Sequence, residues 1–245
     1  MMEEEIEIQT PDGTPRGFLF RLDEQPRPGI LHLTDIGGTR DVNRELSRRL
    51  AAEGYTVLMP NIFYRTGSPP FFASHPNMAD EAAKKRIAEL SGPLTPEAME
   101  RDGSAYIDFL AGQKSVNSGR MGVVGYCFSG GMALRIAAFR ADKIMAAACF
   151  HGGRLFIDEP ASPHLLLPRI KARLYFGHAV QDRSMPAEAI QKLGQALQAW
   201  GGQYESEVYD GAFHSWTMPD SPVYNCAQAE RAFDKLTQLF NATLK

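Results

Sequence analysis

The residues best placed to do chemistry lie in Gly122-Val123-Val124-Gly125-Tyr126-Cys127-Phe128-Ser129-Gly130-Gly131. An apolar run feeds through a glycine-bracketed cysteine into a helix-forming stretch. A side chain on so tight a strand-to-helix turn stands clear of the sheet, which is how a nucleophile elbow presents its reactive atom. The backbone there is strained, and bulky residues two before or two to three after the nucleophile would collide. Gly125, Ser129, Gly130 and Gly131 are all small. A helix beginning just after Cys127 points its N–H groups and positive dipole end at the sulfur, favouring a thiolate and, later, an oxyanion. Two other readings fit the segment: a buried structural cysteine beside a packing turn, or a phosphate cradle. The phosphate motifs G-x-x-x-x-G-K-[ST] and G-x-G-x-x-G are absent. Ser129 is not the elbow nucleophile, because Cys127 rather than a glycine lies two residues before it.

A nucleophile on an elbow needs a base, and the base needs an orienting acid, in the chain order nucleophile, acid, histidine. Arg173 to Gly177 reads as a strand, and Asp182 lies on the loop that follows it. Glu207-Val208-Tyr209 is the end of the next strand, and His214 follows on its loop. In that arrangement His214 handles the thiol proton and later protonates an alkoxide, while Asp182 fixes the imidazole tautomer. Taken singly, Asp182 reads equally as a turn residue and His214 as loop surface; the agreement of three placements carries the assignment. His32 falls inside an apolar strand and reads as a core residue. His151, before Gly152-Gly153, ends a central strand and is a candidate for substrate contact or support. His75, His164 and His178 show no ligand spacing, so no metal site is expected.

These residues need a scaffold that brings three loops to one end of a sheet. Glu5 to Ile8 alternates polar and apolar residues as an edge strand does, with Gly17 to Arg21 as its hairpin partner across Pro11-Asp12-Gly13. Gly29 to Leu33, the helical spacing of Asp41 to Glu53 ending at Gly54, and Tyr55 to Met59 form a β-loop-α-β unit with parallel strands. The proline-rich stretch 61–95 reads as an excursion over one face, with a helix over Ala79 to Leu90. Beyond it the pattern predicts a helix from Pro96 to Leu110 capped by Thr95, a strand over Met121 to Tyr126 and a helix over Gly130 to Phe139. Strands over Met145 to Phe150 and Ala172 to Phe176, a helix over Ala187 to Trp200, a strand over Tyr204 to Tyr209 and a helix over Pro222 to Leu239 complete it. Alternating strands and helices define an α/β class with a mainly parallel sheet and helices on both faces.

The combination resembles the dienelactone hydrolase family. The resemblance rests on the Gly-Tyr-Cys-Phe-x-Gly-Gly elbow, the Tyr-Phe-Gly-x-x-x-x-Asp acid loop and the Gly-Ala-x-His base loop. It extends to Asp35-Ile36-Gly37-Gly38 and to Pro60-Asn61-Ile62-Phe63-Tyr64-Arg65, covering roughly Gly17 to Phe240. It implies an α/β-hydrolase fold with a Cys127–His214–Asp182 triad and an oxyanion hole of the Ile36 and Phe128 backbone N–H groups. Asp35 stands where the family's best-known enzymes carry a thiol-activating glutamate, so it is expected to contact Cys127. Met218 stands where they place a carboxylate-binding arginine four residues after the histidine, which leaves Arg65 as the cation offered to a substrate. Tyr64, His151 and Trp216 are further substrate-contact candidates, and Phe63, Phe71 and Phe72 flank the same region.

Composition bounds the rest. The 245 residues suit one domain spanning 1–245 with a lid-like excursion at 61–95. A net charge of -3 gives no electrostatic footprint for nucleic acid or an anionic membrane. No apolar run is long enough to span a bilayer, and Met1-Met2-Glu3-Glu4-Glu5 lacks the basic start of a signal peptide. Three cysteines give no disulfide framework, so a reducing cytoplasmic setting is expected. The expected protein is a hydrolase of a small-molecule ester or lactone, without cofactor, as a monomer or homodimer. The alternative is a catalytically weak ligand-binding or thiol redox-sensing protein on the same fold.

Overall fold

Alternation and a tight turn put β1 (Met2–Glu7) and β2 (Arg16–Arg21) into an antiparallel hairpin at one sheet edge. The computed structural model describes residues 1–73 and 75–245. β2 continues antiparallel onto β4 (Thr56–Pro60). From there the strands run parallel through β3 (Arg27–Leu33), β5 (Val116–Tyr126), β6 (Ile144–Phe150), β7 (Arg173–His178) and β8 (Tyr204–Val208). The order across this eight-stranded sheet is β1-β2-β4-β3-β5-β6-β7-β8. The parallel strands share one polarity, so the loops after β3, β5, β6, β7 and β8 emerge at the same end. That is what lets residues far apart in sequence meet.

Period-two alternation divides the core. Val123 faces a layer with Leu31, Ile107, Met132 and Leu193, whereas Val124 faces one with Leu50, Phe150, Trp216 and Phe240. The first layer is covered by α3 (Pro96–Ala111), α4 (Ser129–Phe139) and α5 (Ala187–Trp200), the second by α1 (Asp41–Ala52) and α6 (Cys226–Leu244). Parallel strands are stable because both faces are covered in this way. Helix α4 is apolar nearly all round and, but for Gly131, buried from Ser129 to Ala138, as a helix in a core must be.

Several boundaries differ from the sequence reading for identifiable reasons. Strand β5 starts at Val116, since Val116 and Asn117 pair with Arg27 and Pro28 before a register shift. Helix α6 starts at Cys226 rather than Pro222 because residues 216–225 belong to the base loop. There the Asn225 N–H donates to the Trp216 carbonyl and the Asn225 side chain caps Gln228. It runs on to Leu244, whose side chain is buried. Within 61–95 the helix α2 is Glu81–Ser91, capped by Asp80. A 3₁₀ turn, Pro163–Arg169, had no periodic signal and packs against α4.

Candidate active site

Cys127 sits between β5 and α4 with φ 55°, the left-handed region that L-residues avoid. The surroundings hold it there. Its N–H donates to the Phe150 carbonyl at 3.1 Å, and its own carbonyl accepts from Gly130 and Gly153, each at 3.2 Å. Gly125 is required: a Cβ there would meet the Ser129 carbonyl oxygen at 2.3 Å. The buried Ser129 hydroxyl accepts from the Tyr126 N–H at 2.9 Å and lies 3.1 Å from both the Leu33 and Tyr126 carbonyls, fastening the elbow to β3.

The acid and base arrive on neighbouring loops tied by a Val180 N–H to Ala212 carbonyl bond of 2.8 Å. His214 Nε2 lies 3.0 Å from Cys127 Sγ, and His214 Nδ1 lies 2.6 Å from Asp182 Oδ2. The other Asp182 oxygen accepts from the Ser184 N–H at 2.8 Å and hydroxyl at 2.7 Å. The three expected residues are thus in one hydrogen-bonded line. Burial works against charging His214, but the Cys127 sulfur and the Asp182 carboxylate outweigh it and raise the imidazole to about 10. Burial opposes ionising Asp182 as well, yet the His214 and Ser184 bonds hold its carboxyl below the usual range. A proton on His214 is what this arrangement stabilises.

The Ile36 and Phe128 N–H groups donate to no protein acceptor among the described residues, so both remain able to hold an oxyanion. Phe63 packs 6.0 Å from Phe128 and 5.7 Å from Phe71 between ring centres, placing an aromatic wall beside the elbow.

Five expectations need correction. Asp35 does not contact the thiol: its oxygens accept from Arg40 at 2.7 and 3.0 Å and from the Gly37 N–H at 3.2 Å. An aspartate is one methylene shorter than the glutamate of the resemblance, and the Arg40 guanidinium beside it takes both oxygens. Arg65 is not free for substrate, because it pairs with the fully buried Asp102 and with Asp12. Tyr64 joins that cluster, its hydroxyl 2.9 Å from both Asp102 and Thr10. Trp216 is fully buried, stacked on Tyr209 and edge-on to His151, so it does not face a substrate. His151 is also fully buried, so it backs the site instead of facing substrate. Its ring lies edge-on to His214 at 5.2 Å, Nε2 is 2.7 Å from Thr217 Oγ1, and burial together with the charge of His214 keeps it neutral.

Met218, at the position of the expected arginine, is buried, with its sulfur 3.8 Å from Asn43 Nδ2. His32 is buried on Ser47, as a core residue. Sequence reasoning missed Ser184, Thr217 and Arg40. The Asp-x-Ser spacing of an Asx turn could have flagged Ser184; Thr217 reaches His151 from far along the chain and leaves no local signal, and the Arg40 pairing with nearby Asp35 matches no motif read from the sequence. Among the described residues no three His, Cys, Asp or Glu side chains cluster as a metal would require.

Comparison with known proteins agrees with this fold. The sequence profile described as the dienelactone hydrolase family matches residues 16–244. A protein of Escherichia coli (strain K12), provisionally named carboxymethylenebutenolidase, is 28% identical over 221 residues, covering 88% of this chain and 77% of its own. One from Saccharolobus solfataricus with the same provisional name is 25% identical over 273 residues and covers both chains fully, at 100%. Among solved structures, a provisional dienelactone hydrolase from Klebsiella pneumoniae superposes with a TM-score of 0.86 at 21% identity, covering 98% of each chain. A dienelactone hydrolase-like promiscuous phosphotriesterase, P91, from metagenomic libraries superposes at 0.81 with 20% identity, covering 100% of this chain and 99% of its own. The fold is the α/β-hydrolase fold.

Proposed function

The chain belongs to the dienelactone hydrolase family and is a carboxylic ester hydrolase, and on that premise we propose that it cleaves a small, uncharged ester or lactone through a Cys127–His214–Asp182 triad. The observation that carries the reading is the line Cys127 Sγ to His214 Nε2 at 3.0 Å and His214 Nδ1 to Asp182 at 2.6 Å. With its proton on His214, the sulfur attacks the ester carbonyl carbon. The carbonyl oxygen takes the negative charge between the Ile36 and Phe128 N–H groups, donors aimed where charge develops. Collapse breaks the C–O bond, and the leaving alkoxide takes the proton from His214 Nε2. The neutral imidazole then removes a proton from water, whose oxygen attacks the thioester. The acid departs and the thiolate–imidazolium pair is restored. The net change is ester plus water to acid plus alcohol.

The preference for an uncharged substrate follows from the arginines. Position 218 is Met, Arg65 is committed to Asp102 and Asp12, and Arg40 to Asp35 and Asp220. The Phe63, Phe71 and Phe128 wall suits an apolar acyl group or ring. The decisive experiment is intact-protein mass spectrometry during turnover of p-nitrophenyl acetate and of a dienelactone. An acyl adduct on Cys127 that decays with product release is the expected result. Oxidation of the thiol with no acylation would instead identify a redox-sensing protein on the same fold.

A further inference from the structure

On the opposite face of the sheet from α4, a cleft of about 360 Å³ opens between α1 and α6. Tyr126 and Phe150 line it from the sheet, Leu46 and Phe233 from the two helices, and Thr217 and Met218 from the base loop. Neither Cys127 nor His214 lines it. We propose that this cleft is a binding site for a small, uncharged aromatic molecule bearing a hydroxyl or carbonyl oxygen, and that its occupancy is felt at His214.

Size, polarity and charge each narrow the ligand. An apolar cavity of ~150 Å³ is large enough for benzene, so this one accommodates one or two rings. Tyr126 and Phe150 stack at 5.6 Å between centres, offering a flat floor for an aromatic guest. Tyr126 is only 2% exposed, and among the described residues its hydroxyl has no hydrogen-bond partner in the protein. That hydroxyl is not among the fully enclosed unpaired atoms, so it can be reached from the cleft its ring lines, and burial of the ring keeps it protonated as a donor. It therefore asks for one acceptor oxygen on whatever fills the cleft. The rim cations are not free to hold an acid: Arg49 pairs with Glu230 and stacks on Phe233, and Arg48 pairs with Glu3 and Glu45. A carboxylate ligand would meet no unmatched positive charge.

The link to the active site is structural. Thr217 lines the cleft and lies 2.7 Å from His151 Nε2, while the His151 ring packs edge-on to His214 at 5.2 Å. A guest pressing on Thr217 moves the group that backs the base. It changes turnover without occupying the space beside Cys127.

The site does not depend on the hydrolase reading, so the first measurement uses Cys127→Ala protein, which has no thiol at the elbow. Calorimetric titration with 2-naphthol is expected to give saturable one-to-one binding. Tyr126→Phe should weaken it about tenfold, the scale of one buried hydrogen bond. Ala229→Phe, which fills the cleft from the α6 wall, should abolish it. Val42→Phe fills the same space from α1 and serves if Ala229→Phe fails to fold. In thiol-intact protein, 2-naphthol should change kcat for p-nitrophenyl acetate without competing with it. The proposal is overturned if 2-naphthol does not bind, if neither filling variant weakens binding, or if it acts as a simple competitor of the ester.

Discussion

Replacing Arg40 with leucine should damage stability and turnover together. Asp35 is 1% exposed and Arg40 12% exposed, and the guanidinium holds both carboxylate oxygens. Removing it strands a buried carboxylate, a change that costs about 3–5 kcal/mol. The Arg40–Asp220 arm is partly exposed on the Asp220 side and adds little more. For a domain of this size each kcal/mol moves Tm by about 2–4 °C, so the expected loss lies at roughly 6–20 °C by the same conversion. The pair also anchors the turn that carries the Ile36 N–H, through Gly37 N–H to Asp35 and Gly38 N–H to the Asp35 carbonyl. Losing one oxyanion donor lowers kcat by about 10²–10³, and KM should change little because the oxyanion exists only beyond the ground state. The assay is scanning calorimetry beside steady-state hydrolysis of p-nitrophenyl acetate. Asp35→Asn/Arg40→Leu removes both charges and should recover most of the lost Tm. Unchanged Tm and kcat in Arg40→Leu would refute the reasoning, as would a double variant less stable than the single.

Four further outcomes are expected. Asp182→Asn keeps the geometry but unsettles the His214 tautomer, and kcat should fall by ~10³–10⁴; a loss below tenfold would remove Asp182 from the triad. His214 is raised from 6.5 to about 10, so the native state holds a proton that the unfolded chain sheds. That contribution is whole below about pH 6.5 and is lost as pH rises through about 10. Wild-type Tm should therefore decline across this window more steeply than that of Cys127→Ala, and parallel curves would contradict the ion pair. Gly125→Ala puts a methyl 2.3 Å from the Ser129 carbonyl and should yield insoluble or strongly destabilised protein; a normal Tm would show the elbow can relax. Arg65→Met should lower Tm by leaving the fully buried Asp102 short of a partner, with KM unchanged; a selective rise in KM would return Arg65 to the substrate site.

How much of this was legible in the sequence follows from what each feature depends on. Local physics fixed the helices α1, α3 and α5 to within a residue or two, since caps such as Thr95 and stops such as Gly54 and Gly201 act on their own backbone. The elbow was legible for the same reason: Cys127 at positive φ needs small neighbours, and those are adjacent in the chain. Asp182 and His214 could be picked because strand polarity dictates which loops meet. The partners of Asp35, Arg65 and His151 could not. Each choice was made between groups distant in sequence, or between side chains whose reach differs by one methylene, and only packing decided it. Arg40 captured Asp35, Asp102 captured Arg65, and Thr217 claimed His151. The sequence by itself determined the strand-helix order, the elbow and the chain order of the three residues that meet beside it. Tertiary structure decided which charges are free, because a charge in a fold is available to a substrate only if no neighbour has already neutralised it.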